Sequence, residues 1–170
     1  MIYLNIGSNL NSVFGNRFDN INKSIEYLKK NKIKIYKSSN FYETPSYPNK
    51  KNPKFINITI EVEFDSSSKT LLKIIHLIQK KMGRIKKLKN DPRICDIDII
   101  DFNNEIFNTP LLTLPHPKCH LRNFVLYPLN EINSNWFHPV SKLKITELIA
   151  KLNTMSRIEI TRLNKSAILD

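Results

Sequence analysis

The apolar positions of this chain change period several times, and each change predicts an element. Residues 2–6 read as a short strand that ends at Gly7-Ser8-Asn9. Phe18, Ile21, Ile25 and Leu28 then recur at three- and four-residue steps, which predicts a helix over about 16–30. Residues 32–37 and 40–44 read as extended, interrupted at Ser38-Ser39. The clearest strand is FINITIEVEF, residues 55–64: Ile56, Ile58, Ile60 and Val62 face one way, and Phe55, Asn57, Thr59 and Glu61 the other. A second helix follows over about 68–83, with Ser67 or Ser68 as cap, Leu71, Ile75, Ile78 and Met82 as the buried stripe, and Gly83 at the exit. The strand over NDPRICDIDIIDF comes next, then a proline-rich loop, a short segment at 124–132, a helix near 146–152 and a strand near 157–162.

Strand, helix, strand, strand, helix, strand is the order of a ferredoxin-like βαββαβ two-layer sandwich. The expected class is therefore α+β, as one domain over residues 1–170, with a C-terminal helix/strand extension. The loop between the third and fourth strands, TPSYPNKKNP, has three prolines and neither helical nor strand period; it is long enough to suggest a role.

Composition alters this picture little. No run of about eighteen apolar residues occurs, so no membrane span is expected. The start of the chain lacks a signal-peptide layout, and two cysteines, Cys95 and Cys119, make no disulfide framework, so a cytoplasmic location is the default. The net charge of +12 suits nucleic acid, an anionic membrane surface or a phosphate-rich small ligand. Lys, Asn and Ile are abundant and Gly is scarce, a composition that a coding bias produces without function. The charge is therefore not taken as evidence for nucleic acid.

Four constellations carry candidate chemistry. Asp96 and Asp98 sit two residues apart on a strand and so share a face, with Cys95, Ile97 and Ile99 on the other. Alone, such a pair reads as a charged outer face that discourages edge pairing; as a site, it reads as a carboxylate pair for Mg²⁺ with phosphate oxygens completing the shell. MGRIKKLKNDPR, residues 82–93, brings Arg84, Lys86, Lys87, Lys89 and Arg93 straight into that strand, a solvated basic surface or a set of cations for a polyphosphate. LTLPHPKCHLRNFVLYPL, residues 112–129, offers His116, His120 and Arg122. Cys119, His120, His116 and Cys95 as a zinc set is the weaker reading, because no CxxC or HExxH spacing is present; His116 and Arg122 meeting anionic oxygen is the stronger. Thr44-Pro45-Ser46-Tyr47 with Phe55 and Asn57 combines rings and an amide, suited to a flat heterocycle. Neither GxxxxGKS/T nor GxGxxG occurs, so any ATP must be held another way.

GSNL at 7–10, FYETP at 41–45, FIN at 55–57, GRIK at 83–86, DPRICDIDII at 91–100 and LPHPKCHLRNFVLYPL at 114–129 together resemble the 6-hydroxymethyl-7,8-dihydropterin pyrophosphokinases of folate synthesis, over about residues 1–130. The resemblance implies transfer of the β,γ-pyrophosphoryl unit of ATP to the hydroxymethyl oxygen of a reduced pterin, leaving AMP. It implies two Mg²⁺ ions on Asp96 and Asp98, and a pterin pocket of Thr44, Pro45, Tyr47, Phe55, Asn57 and Phe124. Arg84, Lys86 and Arg93 match phosphate-handling positions. His116 and Arg122 match ATP-tail contacts, His76 and Gln79 also fall on the ATP side, and Thr113 with backbone at Ile99 and Leu112 would lie by the adenine. The loop 84–92 matches a mobile loop that closes over both substrates. Small-molecule substrates, no nucleic acid, no membrane and a monomer are the implied partners and state. The chain departs from the family's pattern at Asn90-Asp91, where Trp-Gly is common, at Lys86, where arginine is usual, and at Gln79, where glutamate is common. Two other readings stay open on the residues: a basic RNA-binding module on the same framework, and a relative that has lost catalysis.

Overall fold

The structure, a computed structural model, describes residues 1–84 and 92–169. Lys86, Asn90 and most of the expected closing loop lie outside the described residues. The elements follow the order β1 (Ile2–Ser8), α1 (Arg17–Lys30), β2 (Lys34–Ser38), β3 (Asn40–Thr44), β4 (Phe55–Glu63), α2 (Ser68–Lys81) and β5 (Asp96–Phe102). Then come two-residue strands β6 (Phe107–Asn108) and β7 (Thr113–Leu114), a 3₁₀ turn at Cys119–Leu121, α3 (Asn123–Ile132), α4 (Ile145–Lys151), α5 (Thr154–Ile158) and β8 (Thr161–Ser166).

The first seven elements form the expected βαββαβ unit. Its sheet is antiparallel, in the order β5-β1-β4-β3-β8, with β2 also on β4. β2 and β3 are one line of chain broken at Ser39, whose Oγ accepts from Thr59 N while Ser39 N donates to Thr59 O. The ends of α2 are those expected from the sequence, and the structure adds a cap on α1. Asn16 accepts from Phe18 N and Asp19 N, and Asp19 returns a bond to Asn16 N, closing a capping box on α1. Ser67, rather than Ser68, caps α2 through Thr70 N, and Gly83 leaves the helix at φ +85°.

One face of the sheet carries Leu4, Ile6, Ile56, Ile58, Ile60, Ile97 and Ile99 and packs under Ile21, Ile25 and Leu28 of α1 and Leu71, Ile75 and Ile78 of α2. The other face is covered by the C-terminal extension. Tyr3 and Ile100 meet Val125, Leu126 and Leu129 of α3 and Ile145 and Leu148 of α4 in a second core that includes Trp136. Asn57, Thr59 and Glu61 are consequently buried although they lie opposite the isoleucine face. The segment at 124–132 proves to be a helix that contains Pro128. The strand expected near 157–162 is displaced: Thr154–Ile158 is a helical turn, capped by Asn153, and pairing with β3 begins only at Thr161. The asparagine cap favours the turn over an extended start.

Candidate functional site

β5 is an edge strand, and its pleat places Asp96 and Asp98 on one face, as their spacing requires, while Ile97 and Ile99 are buried in the first core. The two carboxylates line a cleft of about 290 Å³ at the C-terminal end of β1 and the adjoining ends of β4 and β5. Cations surround them. Arg84 Nη1 lies 2.9 Å from Asp96 Oδ1, and Arg93 Nη1 lies 2.6 Å from Asp96 Oδ2. Arg122 Nη1 stands 3.4 Å, and His116 Nε2 3.7 Å, from Asp98 Oδ2. Burial first, and the Asp96 charge second, push Asp98 above the usual carboxylate range, against the pull of the arginines. His116 is pushed down to about 4, by burial and then by the Arg122 charge. Its Nδ1 accepts from Lys118 N at 3.1 Å. A neutral ring with an acceptor at Nδ1 carries its proton on Nε2, the atom facing Asp98.

The opposite end of the cleft carries aromatic rings beside an amide. Thr44, Pro45, Tyr47, Phe55, Asn57 and Phe124 all line it, so the structure brings together six residues drawn from three separate segments. Asn57 Nδ2 donates to Thr44 Oγ1 at 3.4 Å, which leaves its Oδ1 and second N–H for a heterocycle edge. Phe124 is held by a device that its own segment does not reveal. Pro128 lacks an N–H, so it cannot bond the carbonyl of Phe124 one turn back. Asn5 Nδ2 donates to that carbonyl instead, at 2.9 Å, and to Ile58 O at 3.0 Å, tying α3 to the sheet.

Five lining residues were not singled out from sequence: Asn5, Gly7, Leu121, Asn123 and Ser156. Gly7 pairs with Asn57 on one side and Asp96 on the other, and a Cβ there would meet Asn57 Oδ1 at 2.6 Å. The signal for Gly7 was present, since GSNL closes a strand and Gly is scarce. For Ser156 there was none.

The remaining expected residues, Gln79, Ile99, Leu112, Thr113 and His76, are not among those lining the cleft. Gln79 is buried beneath β5 and donates to Ile97 O at 3.3 Å, and the amide avoids the cost of burying a charge there. Ile99 and Leu112 are buried core side chains, which leaves their backbone for a ligand. Thr113 lies half-buried on β7, its Oγ1 donating to Asn108 Oδ1 at 3.1 Å. His76 is exposed on α2 and does not line the cleft.

The zinc set weighed from sequence comes apart. Cys95 belongs to the first core, Cys119 to the second, and His116 turns to Asp98. Cys119, His120 and His138 do bring ligand atoms within 4.8 Å of one another. His138 Nδ1, however, accepts from Val140 N and Ser141 N, which puts the ring proton on Nε2 and leaves no lone pair for a metal. The RNA-binding alternative loses its surface, because α3 and α4 cover the sheet face that would stack bases. Among the described residues, no helix is long and apolar enough to cross a membrane.

The chain is similar to known proteins over most of its length. It is 36% identical over 151 residues to a folic acid synthesis protein of Pneumocystis carinii, and 39% identical over 153 residues to one of Dictyostelium discoideum. Those matches cover 89% and 90% of this chain but 20% and 22% of theirs, so it spans about a fifth of those proteins. It is 34% identical to the 2-amino-4-hydroxy-6-hydroxymethyldihydropteridine pyrophosphokinase of Aquifex aeolicus, with 86% of this chain and 88% of that one covered. A crystal structure of Plasmodium falciparum HPPK-DHPS with pterin and p-hydroxybenzoate superposes with a TM-score of 0.72 at 16% identity, over 95% of this chain and 46% of that one, a likeness of fold. The family model of 7,8-dihydro-6-hydroxymethylpterin-pyrophosphokinase (HPPK) matches residues 3–134. A cleft with paired carboxylates at one end and an amide between rings at the other thus accompanies a match over most of the chain, which belongs to the 7,8-dihydro-6-hydroxymethylpterin-pyrophosphokinase family.

Proposed function

We propose that this protein transfers the β,γ-pyrophosphoryl unit of ATP to the hydroxymethyl oxygen of 6-hydroxymethyl-7,8-dihydropterin, giving AMP and the pterin pyrophosphate for folate synthesis. One observation carries the reading: a single cleft has paired carboxylates among arginines at one end and an amide among aromatic rings at the other, with Gly7 paired between Asn57 and Asp96.

The donor set at the phosphate end fits Mg²⁺. Asp96 and Asp98 offer hard oxygen ligands on one strand face; burial first, and the Asp96 charge second, disfavour the Asp98 carboxylate, and a dication would offset both. When bound, Mg²⁺ supplies charge neutralisation and polarisation of the phosphates. The chain's own groups do the rest. Arg84, Arg93 and Arg122 converge on the carboxylates, so they would be released toward the phosphates once the carboxylate oxygens bind Mg²⁺, and would neutralise charge on the transferred group. His116 presents its Nε2 proton toward the same region. At the other end, Asn57 would pair with the edge of the heterocycle, while Phe55, Tyr47 and Phe124 would enclose its faces. Holding both substrates in one cleft orients the hydroxyl toward the phosphate, which is the main catalytic resource in phosphoryl transfer.

The test is AMP formation from ATP and the dihydropterin, with and without Mg²⁺. AMP that requires both is the expected result. Binding of both substrates without AMP would instead identify a catalytically weakened relative.

A further inference from the structure

Beyond residue 134, where the match to the family ends, the chain comes back to the ring end of the cleft. Asn153 caps α5 by accepting from Ser156 N at 2.8 Å, and this turn sets Ser156 into the cleft wall. The Ser156 carbonyl accepts from Asn123 Nδ2 at 2.6 Å, and Asn123 Oδ1 accepts from Phe124 N at 2.7 Å. One amide side chain therefore links α5 to the residue that carries the Phe124 ring.

Glu159 follows and reaches the loop 45–53. The base of that loop is closed from inside, where Ser46 Oγ donates to Pro53 O at 2.6 Å and Asn9 Nδ2 donates to both Pro53 O and Ser46 Oγ. Its tip is held from outside. Glu159 Oε2 accepts from the Tyr47 hydroxyl at 2.5 Å, and Oε1 pairs with Lys50. The Lys50 ammonium also stands 5.4 Å from the centre of the Tyr47 ring. Tyr47 is 57% exposed, so little packing fixes it, whereas the Glu159 side chain is only 15% exposed. Behind Glu159, β8 is anchored: Thr161 and Arg162 pair with Glu43 and Tyr42 of β3, and Arg162 also binds Glu131 of α3. A largely buried carboxylate thus grips an exposed ring and its neighbouring cation.

We infer that Glu159 is a positioning residue that clasps Tyr47 and Lys50 to the C-terminal segment and thereby sets the affinity for the pterin. Fixing the ring before binding removes an ordering cost that the ligand would otherwise bear. The clasp touches nothing at the phosphate end, so it acts on one substrate. The inference rests on the reading of the ring end as the pterin site.

The test compares Glu159→Ala, Glu159→Gln, Tyr47→Phe and the Glu159→Ala/Tyr47→Phe double variant with the parent chain. Expected for Glu159→Ala is a rise in the pterin KM of about tenfold, the worth of one hydrogen bond to a charged group. The ATP KM, and kcat at saturating pterin, stay within about twofold. Tyr47→Phe raises the pterin KM as well, and the double variant goes no further than the larger single one, since both remove the same bond. Glu159→Gln, which keeps an acceptor for the hydroxyl but loses the charge for Lys50, gives a smaller rise. Tryptic cleavage after Lys50 and Lys51 quickens in the same order. An unchanged pterin KM with unchanged loop cleavage overturns the inference, as does an equal rise in both KM values. If Glu159→Ala fails to fold, Glu159→Gln decides. If the parent chain makes no AMP, the functional reading falls, and loop cleavage alone judges the clasp.

Discussion

The two ends of the cleft are made in different ways. The carboxylates of the phosphate end rest on neighbours in sequence: Arg93, Asp96 and Asp98 lie within six consecutive positions, with Arg84 at the exit of the preceding helix, and His116 and Arg122 join them from another segment. Its geometry follows from the strand pleat, which puts alternate residues on one face. The ring end is assembled from β1, β3 and its following loop, β4, α3 and α5, and its pieces are held by contacts between segments far apart in the chain. A site read along one strand needs only local geometry. A site gathered from five segments needs the whole fold, and its weak points lie at residues that never touch the substrate.

That contrast can be tested by breaking each end separately. The largest effect is expected at the carboxylates: Asp96→Ala or Asp98→Ala lowers turnover by at least about a thousandfold. Circular dichroism and cooperative unfolding are retained, because the strand is held by Ile97 and Ile99 in the core. Turnover near that of the parent chain would remove the metal assignment. Next is Gly7→Ala, which sets a methyl group 2.6 Å from Asn57 Oδ1 and displaces the amide. The pterin KM should rise between about tenfold and a hundredfold, with a far smaller change in the ATP KM. Equal changes would mean that Gly7 serves both ends alike. Asn5→Ala is smaller and acts through the fold. It strands the Phe124 carbonyl beside Pro128, costs about 2 kcal/mol in denaturant unfolding, and weakens pterin binding more than ATP binding.

The smallest effect lies outside the cleft and serves as its control. Burial, and then the neighbouring His120, hold His138 below its ordinary value of 6.5. The unfolded chain takes up this proton more readily, so the stabilisation is present above 6.5 and lost as pH falls below it. His138→Gln should flatten the fall in stability below that pH, by about 1 kcal/mol or less, and leave both KM values unchanged. A steeper fall would mean that the ring is not the group being protonated.

Much of the fold was legible. The alternation of FINITIEVEF, the stripe of α2 and the cap signal at Ser67 each depend on neighbours within a few residues, and the structure keeps them. The C-terminal part was less legible because local signals there compete. Pro128 argues against a helix until Asn5, far away in sequence, supplies the bond that proline cannot. Near 157–162, the Asn153 cap outweighs the extended tendency of the residues after it, which pair only once β3 is within reach. The position of His76 was a separate matter. Expected on the ATP side, it is exposed on α2 and is not among the residues lining the cleft.

By itself the sequence determined the period of each element and the facing of Asp96 and Asp98, because these depend on backbone geometry repeated every two or 3.6 residues. It also determined the kinds of side chain available to each end of the cleft. Only the tertiary structure decided that Gly7 would pair between Asn57 and Asp96, that Asn5 would stand in for the missing N–H of Pro128, and that Glu159 would reach back to Tyr47. Each of these is a contact between segments whose separation along the chain carries no information about distance, and only the packing of the two cores brings them within a hydrogen bond of one another.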